Sequence, residues 1–295
     1  MKLLMLVNPL AGRRHGIKIA HETRAIFKTL GIDVQIGCSR HVRHLAAIAE
    51  MEVDNGWDGI VALGGDGTVF EVVNGMMRGN PRPKIPLGII PVGSGNSFVR
   101  DLGIRRREDA IRKIAAGKTR PVDLGRCDCD DQTIYFINIL GFGFVADVAL
   151  RAARFKRWGD FSYLIGVFFE TLRLAPCPLE FEIDGQCFRR DNVFVEICNS
   201  TKTGGNMIMA PHARIDDGLL DVVLLNRIGR PRLLSALPRI FNGTHLRLPE
   251  VETFTGRTMR FRPARPQSLT PDGEIVGQTP ITVTVLPGRV QVFDA

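Results

Sequence analysis

Residues 64 to 75 read GGDGTVFEVVNG, and they decide the fold because they set a glycine-rich turn and a carboxylate between a strand and a helix. The run before them, DGIVAL (58–63), is short, apolar and β-branched, the pattern of a buried strand ending near Leu63. Behind the glycines, Thr68 and Glu71 make a T-x-x-E capping box that predicts a helix beginning near Val69, its free N–H groups aimed back at the loop. Such a junction suits phosphate, and Asp66 between the turns is a candidate to hold a cation or order the water around one. No Lys-Ser or Lys-Thr follows to make a Walker A loop, and the G-x-G-x-x-G spacing of a dinucleotide fingerprint fails at Phe70. A local reading stays open, in which the glycines only turn the chain and Asp66 bonds nearby backbone.

The flanking sequence extends this unit into a series. Strand patterns at 3–7, 33–38, 58–63 and 86–91 alternate with helix patterns at 17–30, through LAAIAE (45–50), and from Val69 to Met77. Alternation of this kind predicts a parallel sheet covered by helices on both faces. Ligands of such sheets sit beyond the carboxyl ends of the strands. Three glycine-bearing loops fall at such ends: NPLAG (8–12), GGDGT (64–68) and GSGN (93–96). Right-handed crossovers would bring all three to one edge. After residue 123 the texture becomes β-rich, with short strand-like runs such as TIYFINI, LEFEIDGQCF, NVFVEICN, LLDVVLL, TMRFRP, ITVTVLP and RVQVFD. Helical patterns interrupt it at 159–174 and 230–241.

Composition narrows the class. A chain of 295 residues is large for one core and comfortable for two domains. A net charge of +8 implies attraction to an anionic partner, whether nucleic acid, nucleotide or membrane surface, and does not choose among them. The cysteines form no C-x-x-C pair, which leaves zinc and redox motifs unsupported and points to reduced thiols. Cys127 and Cys129, beside Asp128, Asp130 and Asp131, read as a polar hairpin tip in preference to a metal site. The opening apolar run is too short for a signal-peptide core, and no run approaches the length of a membrane span, so the expected location is cytoplasmic.

GGDGTVFEVVNG, followed by PVGSGNSFVRDLG, with NPLAG before them, APHARIDDGLLDV in the second half and PDGE near the end, resembles the diacylglycerol kinase catalytic family, which includes bacterial lipid kinases and the sphingosine and ceramide kinases. The likeness runs over nearly the whole chain. It implies an α/β nucleotide-binding domain like that of phosphofructokinase and NAD kinase over residues 1–122, then a lipid-binding β-sandwich over 123–295 whose last strand is a candidate to return to the first domain. It implies ATP as phosphoryl donor, Mg2+, and a lipid alcohol met at the inner face of the membrane, with no nucleic-acid partner. The assembly state, a homodimer included, is not legible.

By the same resemblance ATP is held by Asn8, Pro9, Leu10, Ala11 and Gly12, by Ser39, by Gly64, Gly65, Asp66, Gly67, Thr68 and Glu71, and by Gly93, Ser94, Gly95 and Asn96. Asp66 and Asp123 match aspartates that organise the catalytic magnesium. Arg214 and Leu219, through carbonyls, and Asp217, through its side chain, match a structural magnesium site, although a solvated turn explains DDGLLD equally well. Asp272 is preferred as the base that receives the lipid proton, with Glu274 supporting it, and both stay candidates. Asp-Gly is also a strong hairpin signal, which Asp184-Gly185 uses with no evident chemistry. One departure stands out: Ser97 occupies the place where bacterial members usually carry aspartate, so the choice among diacylglycerol, sphingosine and ceramide is open. An NAD kinase is disfavoured by EVVNG, GSGNSF and PDGE, and a silent lipid- or nucleotide-binding regulator by the intact acids.

The segment RAARFKRW (151–158), with FSYLIGVFFETLRL after it, mixes cations, aromatics and large apolar groups. Docking on anionic lipid and ordinary core packing both account for it.

Overall fold

A computed structural model describes residues 1–93, 95–130, 132–154 and 161–294, with side chains at 13, 153, 154 and 161–165 left aside. The chain divides into two compact units, the first made of 1–124, 215–217 and 286–295, the second of 125–214 and 218–285.

In the first unit the predicted alternation is present. It runs β1 (Lys2–Val7), a short α1 (Ala11–Arg14), α2 (Gly16–Thr29), β2 (Asp33–Cys38), α3 (His44–Glu52), β3 (Gly59–Gly64), α4 (Asp66–Gly79), β4 (Leu87–Pro91) and α5 (Arg107–Ala116). The strands lie in the order β4, β3, β1, β2, all parallel. β3 is buried along its whole length, as its unbroken apolar run requires. Helices α3 and α4 pack closely because α4 carries glycine at two positions one turn apart. A Cβ at Gly75 would lie 2.1 Å from the Ala46 carbonyl oxygen, and one at Gly79 would lie 2.3 Å from that of Glu50. The glycine of EVVNG therefore serves helix packing.

The second unit is antiparallel. β5 (Thr119–Cys129) crosses into it and forms a hairpin with β6 (Gln132–Phe136). Then come β7 (Ile139–Gly143), α6 (Phe144–Arg154), α7 (Phe161–Leu172), β8 (Cys177–Ile183), β9 (Gln186–Cys198), and the small ladder β10 (Lys202–Thr203) with β11 (Met207–Ile208). β12 (Leu220–Asn226), α8 (Arg230–Ala236), β13 (Val251–Gly256), β14 (Thr258–Pro263), β15 (Leu269–Pro271) and β16 (Ile281–Phe293) complete it. β9 is long enough to serve several partners: its first half pairs with β8, its second with β7, and β12 runs along its other edge. An apolar layer of Ile139, Phe194, Cys198, Val223 and Leu225 packs against Val148 of α6, Val167 of α7 and Leu233 of α8.

The structure amends several expectations. The helix after the glycine loop starts at Asp66, not near Val69, so Thr68 and Glu71 lie inside it and form no capping box. Glu71 turns to another helix, its carboxylate accepting the Arg43 and Leu45 N–H groups at 3.1 and 3.2 Å at the start of α3. ITVTVLP and RVQVFD form the single strand β16, interrupted only by Gly288 at a φ of 55°. Part of RAARFKRW closes helix α6, which the sequence reading left unassigned, and its residues 155–158 lie outside those described. Among the described residues no helix is long and apolar enough to cross a membrane.

Gly75→Ala is expected to force α3 and α4 apart and lower stability by about 1–3 kcal/mol, the usual cost of overpacking. Thermal denaturation measures this directly.

Candidate active site

The four parallel strands deliver their carboxyl ends side by side. There the backbone ties loop to loop: Asn8 N–H donates to Leu63 O at 3.5 Å, Val92 N–H to Gly64 O at 2.9 Å, and Ser39 N–H to Val7 O at 3.0 Å. NPLAG folds as a turn, with the Leu10 N–H on Asn8 Oδ1 at 3.0 Å and the Ala11 N–H on the Asn8 carbonyl at 3.0 Å. Gly12 has a φ of 58° and would meet Val92 Cγ1 at 2.5 Å if it carried a Cβ. Glycine satisfies both demands.

The two loops after β3 and β4 approach backbone to backbone. A Cβ on Gly93 would sit 2.7 Å from Gly65 Cα, and one on Gly95 would sit 2.6 Å from Asp66 Oδ2. Asn96 adopts a φ of 52° and donates its side-chain amide to the Gly93 carbonyl, leaving its Oδ1 buried without a partner among the described residues. Asp66 receives the Ser97 N–H at 2.8 Å and stands 3.5 Å from the Ser97 hydroxyl. Ser97 thus contacts Asp66 directly. Burial pushes the Asp66 carboxyl above its ordinary value of 3.8, outweighing the hydrogen bonds from Ser97, Asn96 and Phe98 that act the other way. Asn8–Gly12, Ser39, Gly64–Thr68, Gly93, Gly95 and Asn96 therefore belong to one edge. Glu71 is engaged at α3, and Ser94 lies outside the described residues.

The remaining candidates are held elsewhere. Asp123 is 1% exposed; its N–H donates to Ile215 O at 2.8 Å, and its Oδ1 accepts the Gly288 N–H at 2.6 Å. It is thereby fixed to the turn containing Arg214, Asp217 and Leu219, where Asp217 is exposed. Asp272 is buried in a turn with a φ of 49°, followed by Gly273 at 86°. Its carboxylate accepts three main-chain N–H groups, from Ile137 at 3.1 Å, Asn138 at 2.9 Å and Ile139 at 3.1 Å. Glu274 is exposed. Asp147, in the first turn of α6, was not singled out from sequence; burial, then Glu170, raises its pKa. Its only sequence signal is an acid among apolar residues. Among the described residues no three His, Cys, Asp or Glu side chains converge into a ready cation cage. Magnesium in nucleotide sites takes only one or two carboxylates, the rest being phosphate and water, so Asp66 in its glycine cradle fits that role.

Comparisons with known proteins identify the family. The diacylglycerol kinase catalytic domain matches residues 2–127, and the YegS C-terminal NAD kinase beta sandwich-like domain matches residues 138–294. The chain belongs to the diacylglycerol kinase catalytic-domain family and is a lipid kinase by that membership. It is 34% identical to a diacylglycerol kinase of Mycobacterium tuberculosis, over 99% of this chain and 94% of the relative. A diacylglycerol kinase of Bacillus subtilis is 27% identical over 94% of this chain and 90% of its own length. A solved chain from Bacillus anthracis superposes with a TM-score of 0.83 at 23% identity, covering 100% of this chain and 97% of that one, which establishes the fold.

With Asp66 as the ligand of a cation, magnesium-dependent nucleotide binding would fall away on acidification at a higher pH than an ordinary aspartate would give. Calorimetric titration across pH is expected to show this limb in the native chain and to find it absent in Asp66→Asn.

Proposed function

We propose that the chain transfers the γ-phosphate of ATP to the primary hydroxyl of diacylglycerol or a closely related lipid alcohol. The observation that carries this reading is the glycine-to-glycine approach of the loops after β3 and β4. It keeps β-carbons out of the space beside Asp66 and Asn96 Oδ1, which has no partner among the described residues. A polyphosphate needs such amides and no side chains in its way.

Phosphoryl transfer asks a protein mainly for positioning and charge compensation. In this reading NPLAG, Gly64–Thr68 and Gly93–Asn96 cradle the nucleotide, and Asp66 holds magnesium, which when bound neutralises the transferring oxygens. Asp123 would help Asp66 organise that ion, and Asp217, with the carbonyls of Arg214 and Leu219, would hold a second, structural one. The proton of the lipid hydroxyl is assigned to Glu274 in place of Asp272. The three main-chain N–H groups on Asp272 support this, because they occupy its oxygens and make it the fixture of the turn. The basic surface favours a reaction at an anionic membrane.

Labelled ATP, magnesium and a panel of diacylglycerol, monoacylglycerol, sphingosine, ceramide and undecaprenol in mixed micelles test the reading. Transfer to diacylglycerol is expected; transfer only to sphingosine or ceramide would move the substrate, and none at all would favour a silent regulator. Glu274→Gln should lower kcat by roughly 10²- to 10⁴-fold, the range for a lost general base. Asp272→Asn turns an amide NH2 toward donors and should cost about 1–3 kcal/mol of stability. Inactive Asp272→Asn with an unchanged melting temperature would instead return the base role to Asp272.

A further inference from the structure

One buried acid has no place in this account. Glu196 lies two residues from the carboxyl end of β9, directly opposite Gly141 of β7 and Val223 of β12. It is 6% exposed and makes no hydrogen bond or ion pair with any described residue. Residues opposite and two apart on antiparallel strands share a face. Glu196 therefore shares its face with Ile139, Phe194, Cys198, Val223 and Leu225, the apolar layer that packs on α6, α7 and α8. The strand opposite makes room for it: a Cβ on Gly141 would lie 2.7 Å from Glu196 Oε2 and 2.9 Å from Val145 Cγ2 of α6.

A leucine would suit this position better for stability, since buried polar groups are normally partnered. Burial pushes the acid up to about 8, so at neutral pH it keeps its proton. A neutral carboxylic acid offers one O–H donor and one carbonyl acceptor. That pair complements an ester carbonyl and a hydroxyl, whereas the ammonium of a sphingoid base calls for an ionised partner.

We propose that Glu196 is a binding residue for the polar, ester-bearing part of an uncharged acylglycerol within the apolar layer beneath α6 and α7, donating to a lipid carbonyl and accepting from a lipid hydroxyl. The inference rests on the lipid-kinase reading for its choice of ligand, but its test does not need turnover.

Equilibrium binding of dioctanoylglycerol to the full chain without ATP, followed with melting temperature, decides it. Glu196→Gln keeps a donor and an acceptor and should bind within about twofold of the native chain. Glu196→Leu should bind roughly tenfold more weakly, the loss of one well-made hydrogen bond, while melting at a higher temperature. Unchanged binding in Glu196→Leu, equal losses in both variants, no binding to the native chain, or preference for sphingosine would each overturn the proposal. Binding that depends on Glu196 without phosphoryl transfer would uphold it and sink the kinase reading. Transfer to diacylglycerol with normal binding in Glu196→Leu would do the reverse.

Discussion

The nucleotide half depends on two backbones lying closer than side chains permit. Gly93 and Gly65 meet so tightly that a β-carbon on Gly93, 2.7 Å from Gly65 Cα, would displace the other loop. Among the described residues no hydrogen bond joins the two glycines directly. The contact is fixed by the bonds around it, from Val92 to Gly64, from Asn96 to Gly93, and from Ser97 to Asp66. Asp66 thereby has two duties, as a hydrogen-bond acceptor that fixes the second loop and as a carboxylate held at the strand edge. Ser97 meets Asp66 through its main-chain N–H at 2.8 Å and its hydroxyl at 3.5 Å.

Asp272 carries a parallel lesson in the second unit. Three amides converge on its carboxylate, an arrangement that fixes a turn in place through charge-assisted hydrogen bonds. Glu274, two residues further on, is exposed. The two acids of this three-residue motif thus differ in setting, one buried and holding the turn, the other exposed.

The parallel sheet was legible because β1, β3 and β4 are apolar runs, and that pattern comes from burial on both faces. The ordered motifs placed the family and most of the loop residues. What sequence misread were local signals with two meanings. Thr68 and Glu71 have the spacing of a cap, yet the helix already begins at Asp66, and Glu71 caps α3 from outside. Asp-Gly at 272 marks a turn, as at 184, and nothing in the string reveals the three amides that Asp272 meets. Glu196 sits in FVEIC, where alternation would place it facing water. Only the pairing of β9 with β7 and β12 shows that helices cover this face.

The path of β16 bears on how the molecule is made. Residues 286–295 belong to the first unit, where Val292 pairs with Leu87 of β4. As the chain leaves the ribosome, the open edge of β4 must wait for almost all of the rest to be synthesised before its neighbour arrives. Through that interval the half-finished sheet presents unpaired amides and carbonyls, the hazard of any bare strand edge. In the second unit β8 likewise waits for β14 and β7 for β15, but both partners are made before β16 reaches β4. The order of synthesis thus runs against the order of the domains, and the nucleotide half, begun first, is the last to be closed.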